Sequence, residues 1–294
     1  MRFIIPILCI VFLMGCGGGA KPPSWYGKDT QDSAYLIGFG SASKLESAKA
    51  RAVNDISSQL SVQVSSQFKT QTQRQDSNIT HKASSDIQLD VAAMELSDVQ
   101  YTKSEFENGQ HYVQAKILKS ALISQFQNKF NNTYNTLNVV SLSKCKILSA
   151  KDKLRLENAL NELWLYSQLL QTLEKQTRSL DNLESLLSAN MPLPAAKLVI
   201  RSNVDSARIY NDLAKELGEF YTIQNDAAHT LYAEVRAIQS AKGVKIDVLF
   251  SILDCRNNPI FNTNVSEETN KGFEFATKRV SVQLYKKMQE WIEN

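Results

Sequence analysis

The chain has 294 residues, a formal charge of +3, 43% hydrophobic and 21% charged residues. These are near globular averages, so cores of ordinary size can form, and the length suggests two domains. The near balance of charge gives no basic face for nucleic acid, and beyond residue 16 no apolar run approaches the ~20 residues that a membrane-crossing helix needs.

The first stretch is a cationic start, Met1-Arg2, followed by nearly all-apolar residues from Phe3 to Met14 and then small residues and a cysteine. That is the layout of a secretory signal. Leu13-Met14-Gly15-Cys16 resembles the lipobox of bacterial lipoproteins. The resemblance implies a signal over residues 1–15, cleavage between Gly15 and Cys16, and a diacylglyceryl thioether on Cys16. A multiply acylated terminus is a lasting anchor, where one chain alone is marginal. Gly17 stands where a retention signal usually carries Asp, which by the same resemblance favours the outer membrane. Residues 16–24 read as a lipidated flexible leader, glycines giving way to Lys21-Pro22-Pro23.

With Cys9 removed and Cys16 acylated, Cys145 and Cys255 are the remaining thiols. In an oxidising periplasm they suggest one disulfide, and two separately buried thiols are the alternative; spacing alone leaves both open.

Ala34 to Gly40 reads as a short strand. Ser43 and Glu46 form a capping box ahead of a helix whose stripe is Leu45, Ala48, Ala52, Ile56 and Leu60, small enough to lie close on a sheet. Val62 to Thr70 is expected to be extended and Ile79 to Met94 helical. Val99 to Glu105 and His111 to Leu118 alternate around Asn108-Gly109, a hairpin with a type I′ turn. Together these give an α+β layer domain over 25–118.

Pro23-x-Trp25-Tyr26, Tyr35-x-x-Gly38-x-Gly40-x-Ala42, the alanine-studded helix and the hairpin ending Tyr112-x-x-Ala115 resemble the LPP20 family of bacterial envelope lipoproteins, over roughly 22 to 125. That family includes small antigenic lipoproteins and, more distantly, flagellar lipoproteins and assembly proteins. The resemblance implies a dodecin-like β-α-β-β domain and a non-enzymatic role. The short members stop near residue 125, so the remainder calls for its own reading.

Residues 119–191 read as a helical section. Leu122, Phe126 and Phe130 share one face. A single long helix follows from a Ser149 cap through Leu187, with leucines at steps of three, four and seven. An intramolecular helical hairpin is preferred to a dimeric coiled coil, because Glu174, Lys175 and Arg178 give no clean charge code. After the Pro192 and Pro194 breaks, residues 195–294 read as a C-terminal α+β domain with an antiparallel sheet. It comprises a strand at 197–201, a helix at 206–217 capped by Gly218, an extended piece at 220–223, a hairpin of 231–239 with 244–253, a third strand at 260–265, and a last helix from Phe273 with Glu267 and Glu268 at its start.

No catalytic constellation emerges. Gly38-x-Gly40 lacks the rest of a phosphate loop; His81, His111 and His229 have no second ligand at metal spacing; no nucleophile elbow is present. No cofactor and no metal are expected. Trp25 and Tyr26 are the candidate interface aromatics, placed either at the membrane interface or in the first core. The chain is thus expected to be a membrane-anchored, periplasm- or surface-facing binding or assembly module. Its partners would be the membrane through acylated Cys16, and an envelope protein or another copy. The competing class is a small-ligand-binding protein or enzyme with a pocket between the domains.

Overall fold

The computed structural model describes residues 21–28, 33–72, 94–137, 145–241 and 243–294. The signal, Gly15, Cys16, the helix expected at 79–94 (but for Met94 itself) and His81 lie outside the described residues. The chain is α+β and divides into two compact units, Met1–Gln127 with Gln168–Lys175, and Asn128–Ser167 with Gln176–Asn294. Residues 119–191, the helical section, fall in both units: 119–127 and 168–175 belong to the first, 128–167 and 176–191 to the second.

The first unit is built on β1 (Tyr35–Ala42), α1 (Leu45–Thr72), β2 (Gln100–Glu107) and β3 (Gln110–Leu118). They form an antiparallel sheet in the order β1-β3-β2. Asn108 and Gly109 both have positive φ, 52° and 78°, as a type I′ turn requires. The apolar stripe of α1 runs as expected through Ala48, Ala52, Ile56 and Leu60, and continues to buried Val64. Residues 62–70 are helical, not extended: α1 continues to Thr72. Glutamine and serine are tolerated on a solvated helix face, so polarity there did not mark a helix end. The expected capping box is also displaced. The first helical bond runs from the Ala48 N–H to the Lys44 carbonyl, which puts Lys44 at the cap, and Glu46 turns to Lys49 Nζ at 2.9 Å.

The close fit of α1 on the sheet rests on two glycines. Gly38 and Gly40 pair with Ala115 and Val113 of β3. A Cβ on Gly40 would collide with the Ala48 carbonyl and the Ala52 N–H, and one on Gly38 with the Ala52 carbonyl and Ile56. The requirement is for space, since neither glycine has positive φ. Helix and strand backbones touch directly, so α1 can also close the sheet edge. Arg51 donates to the Ser41 carbonyl at 2.6 Å, Asp55 accepts from the Phe39 N–H at 2.9 Å, and Gln59 donates to the Ile37 carbonyl at 2.8 Å. Steps of four along a helix (~6 Å) match steps of two along a strand (~6.7 Å), so one row of side chains satisfies the edge of β1.

α2 (Lys119–Thr136) follows the hairpin, and α3 (Ala150–Thr172) begins at Ser149, whose hydroxyl accepts from the Asp152 N–H at 3.0 Å as a cap. Within the second unit, Thr133 of α2 donates to Glu162 of α3 at 3.0 Å and Arg178 lies over the Tyr134 ring. The expected 40-residue helix is broken. α3 stops at Thr172 and a short α4 spans Asp181–Ser188. Glu174 takes a left-handed φ of 60°, while the Lys175 N–H bonds the Leu170 carbonyl and the Glu174 N–H bonds Gln171. This is a Schellman C-cap, with glutamate in the place that glycine usually fills.

The second unit continues with β4 (Ala195–Ser202), α5 (Ser206–Leu217), β5 (Thr222–Ile223), β6 (His229–Ser240), β7 (Gly243–Leu253), β8 (Pro259–Thr269) and α6 (Phe273–Glu293). The five-stranded order is β5-β4-β6-β7-β8. The sheet is mixed where an antiparallel one was expected: β4 runs parallel to β5 and β6. α5 supplies the crossover that a parallel pair demands. Its core gathers Ile209, Leu213 and Leu217 of α5, Val248 and Phe250 of β7, and Val280, Leu284 and Met288 of α6. Glu267 sits in β8, not at a helix start, because that strand extends to Thr269; its carboxylate meets Arg279 at 3.4 Å and Gln283 at 2.9 Å on α6.

Candidate functional site

Proline-rich leader and sheet meet on the face of β1-β3-β2 opposite α1. Residues 23–26 form a turn closed by the Tyr26 N–H on the Pro23 carbonyl at 2.9 Å, and another bond joins the Lys28 N–H to the Trp25 carbonyl. The turn lays two rings across the sheet. Tyr26 stands edge-on to Phe39 and to Tyr112, with centroids 5.6 and 5.0 Å away, and Trp25 stands edge-on to Tyr26 at 6.0 Å. Edge-to-face pairs at this range stabilise by roughly 0.5–1.5 kcal/mol each beyond area burial. Trp25 Nε1 donates to Glu105 at 2.6 Å, while Lys103 Nζ lies 5.6 Å from the Trp25 ring and Lys116 Nζ 4.3 Å from that of Tyr35.

Trp25 and Tyr26 are thus half-buried on the outer sheet face, outside the core beneath α1. The sequence placed neither Phe39 and Tyr112 beneath them nor Lys103 and Glu105 beside them; only the strand register reveals that these positions share a face. Gln114 pairs with Phe39 and is buried on that face; it accepts from Thr102 Oγ1 at 2.9 Å, and its Nε2 has no partner among the described residues. The arrangement holds no nucleophile beside a base. Its chemistry is that of a surface: aromatic edges, one carboxylate and ammonium groups.

A second polar cluster lies at the start of α3 in the other unit. Cys145 and Cys255 form a disulfide with Cα atoms 5.7 Å apart. The Asp254 carboxylate folds the Cys255 turn by accepting from the N–H groups of Arg256 and Asn258, both at 2.8 Å. Burial pushes the Asp254 pKa upward, but those bonds outweigh it and hold the group below the usual range. Buried Tyr221 accepts from the Ala150 N–H at 3.0 Å, and burial raises its pKa. His229 is 3% exposed, and burial lowers its pKa against the pull of Asp254 and Asp152. Asn190 fastens the same region, accepting from the Leu148 N–H and donating to the carbonyls of Lys146 and Leu186. These groups serve folding: each binds backbone or sits in the core.

His111 packs on Phe106 at 4.6 Å. Among the described residues no three His, Cys, Asp or Glu side chains converge as metal ligands, and no helix is long and apolar enough to cross a membrane. An open hollow of about 500 Å³ in the second unit is lined by Arg201, Asn203, Glu234 and Arg236, with the Arg236 guanidinium held by Glu234 at 2.7 Å.

The strand–helix–hairpin unit with its aromatic turn has a counterpart among known families. Residues 23–118 match the LPP20 lipoprotein family. The LPP20 match begins at the turn that carries Trp25 and stops at the end of β3, so it covers the first sheet and none of the second unit. A crystal structure of the secreted protein HP1454 from Helicobacter pylori is similar over 88% of this chain and 97% of its own, with a TM-score of 0.54 and 19% identity, a likeness of fold. A minor lipoprotein from Acinetobacter baumannii aligns over 33% of this chain and 91% of its own at 18% identity and a TM-score of 0.20. No curated protein matches the chain. The LPP20 segment supports an envelope lipoprotein.

Proposed function

We propose that this protein is an outer-membrane-anchored lipoprotein that works without catalysis, as a binding or assembly module of the cell envelope. The observation that carries the reading is the LPP20 segment starting at Pro23, directly behind the lipobox and its Cys16. Residues 17–22, fully extended, reach about 20 Å, so an acylated Cys16 keeps the first sheet beside the bilayer. Trp25, Tyr26, Lys103 and Glu105 then offer an aromatic, charged surface to a protein partner at that level, facing the periplasm or the cell exterior. Glycine at position 17 supports the outer membrane.

Crosslinking in intact cells, followed by mass spectrometry, tests the reading with wild type and Cys16→Ser side by side. A defined set of envelope partners, lost or strongly reduced in Cys16→Ser, is expected. The same set recovered from an unanchored Cys16→Ser protein would overturn tethering as the mechanism.

A further inference from the structure

The two edges of the first sheet are treated differently. β1 is closed by Arg51, Asp55 and Gln59 of α1, whereas β2 is exposed along its whole length and, among the described residues, its outer backbone edge has no partner. Strand register shows which groups that edge presents. On β1 the odd positions 37, 39 and 41 bond to α1, so the even ones bond to β3; on β3, Tyr112 and Gln114 then face β2, where Glu105 and Lys103 receive them. Ser104 and Phe106 therefore turn their N–H and C=O groups outward.

From this edge we infer that β2 pairs antiparallel with β2 of a second copy of this chain, about a two-fold axis at Ser104. The inference rests on the assembly reading above and names its partner. Charge selects the register. With Ser104 opposite Ser104, each Lys103 faces the other copy's Glu105 twice over, on one face of a continuous six-stranded sheet. Centring the pair on residue 103 sets Lys103 against Lys103, and centring it on 105 sets Glu105 against Glu105; like charges directly opposed destabilise a ladder. Ser104 is also a position whose backbone faces outward, so its symmetric pair makes two hydrogen bonds. Glu105 is held for this by Trp25 Nε1 at 2.6 Å. Charged residues on an edge commonly discourage pairing; here their signs alternate so that they disfavour the two neighbouring registers, centred on 103 and 105, and favour the one centred on Ser104. Few residues take part, so the contact is weak in solution, and confinement of both copies to one membrane raises the effective concentration.

Full-length Ser104→Cys, expressed in cells and oxidised mildly, tests this, since hydrogen-bonded pairs bring Cα atoms to ~5.5 Å, within disulfide reach. A dimer on a non-reducing gel is expected, reduced about tenfold when Lys103→Glu is added and restored when Glu105→Lys is combined with it. No dimer, or a dimer indifferent to Lys103→Glu, overturns the inference. Circular dichroism on each variant confirms folding. Adding Cys16→Ser separates the two readings: a charge-dependent dimer that persists at high protein concentration without the anchor upholds strand pairing whatever becomes of tethering.

Discussion

Gly40→Ala is the smallest change that tests how α1 sits on its sheet. The added methyl falls on the Ala48 carbonyl and the Ala52 N–H and comes within 2.9 Å of the Arg51 carbonyl carbon. These are backbone atoms of a helix, so no side chain can swing aside; the helix must lift or slide. Overpacking of this kind costs ~1–3 kcal/mol, and lifting α1 also loosens the Arg51, Asp55 and Gln59 bonds to β1, each contributing ~1 kcal/mol. We expect a loss near 3 kcal/mol, a fall in midpoint of roughly 12–24 °C for a domain of this size. Hydrogen exchange read by mass spectrometry on the full chain localises the effect, with amides of residues 45–64 losing protection while those of 246–252 keep theirs. Gly109→Ala is the control. Its methyl meets nothing within 4 Å and strains only a positive φ, for ~1–2 kcal/mol. If Gly40→Ala melts like wild type and α1 keeps its protection, the backbone contact described here is wrong.

Removing the bridge with Cys145→Ser and Cys255→Ser together frees a loop of 110 residues; the chain-entropy account gives up to ~4–5 kcal/mol, read as a lower thermal midpoint, and an unchanged midpoint would contradict it. Asp55→Ala with Gln59→Ala uncaps β1, and we expect ~1–2 kcal/mol of destabilisation with growth of aggregates by light scattering as the protein is concentrated; a variant as soluble as wild type refutes the edge role. His229 is buried with its folded pKa below the ordinary 6.5, so as pH falls through 6.5 the unfolded chain takes up the proton first and folding stability declines. His229→Gln should flatten that decline between pH 7.5 and 5.5 in thermal melts, and an identical slope would assign the pH dependence elsewhere.

What the sequence showed and concealed follows from which signals are local. The hairpin at Asn108-Gly109, the span of α5 and the stripe of α1 were legible because turn chemistry and apolar period are written in neighbouring residues. The end of α3 was not, since Glu174 adopts a left-handed φ without the glycine that normally announces it. Nor was the parallel pairing of β4, for alternation gives a strand but not its direction. The outer face of the first sheet was half legible. Trp25 and Tyr26 stood out by type, yet Phe39, Tyr112, Lys103 and Glu105 meet them only through pairings far apart in the chain. The bridge between Cys145 and Cys255 was open for the same reason: spacing cannot report a Cα separation.

Anchoring by lipid is the claim on which the functional account rests, and metabolic labelling reads it directly. Cells given labelled palmitate should yield wild-type protein carrying the label in the membrane fraction and Cys16→Ser protein carrying none. Unlabelled wild-type protein recovered in the soluble extract would contradict the account.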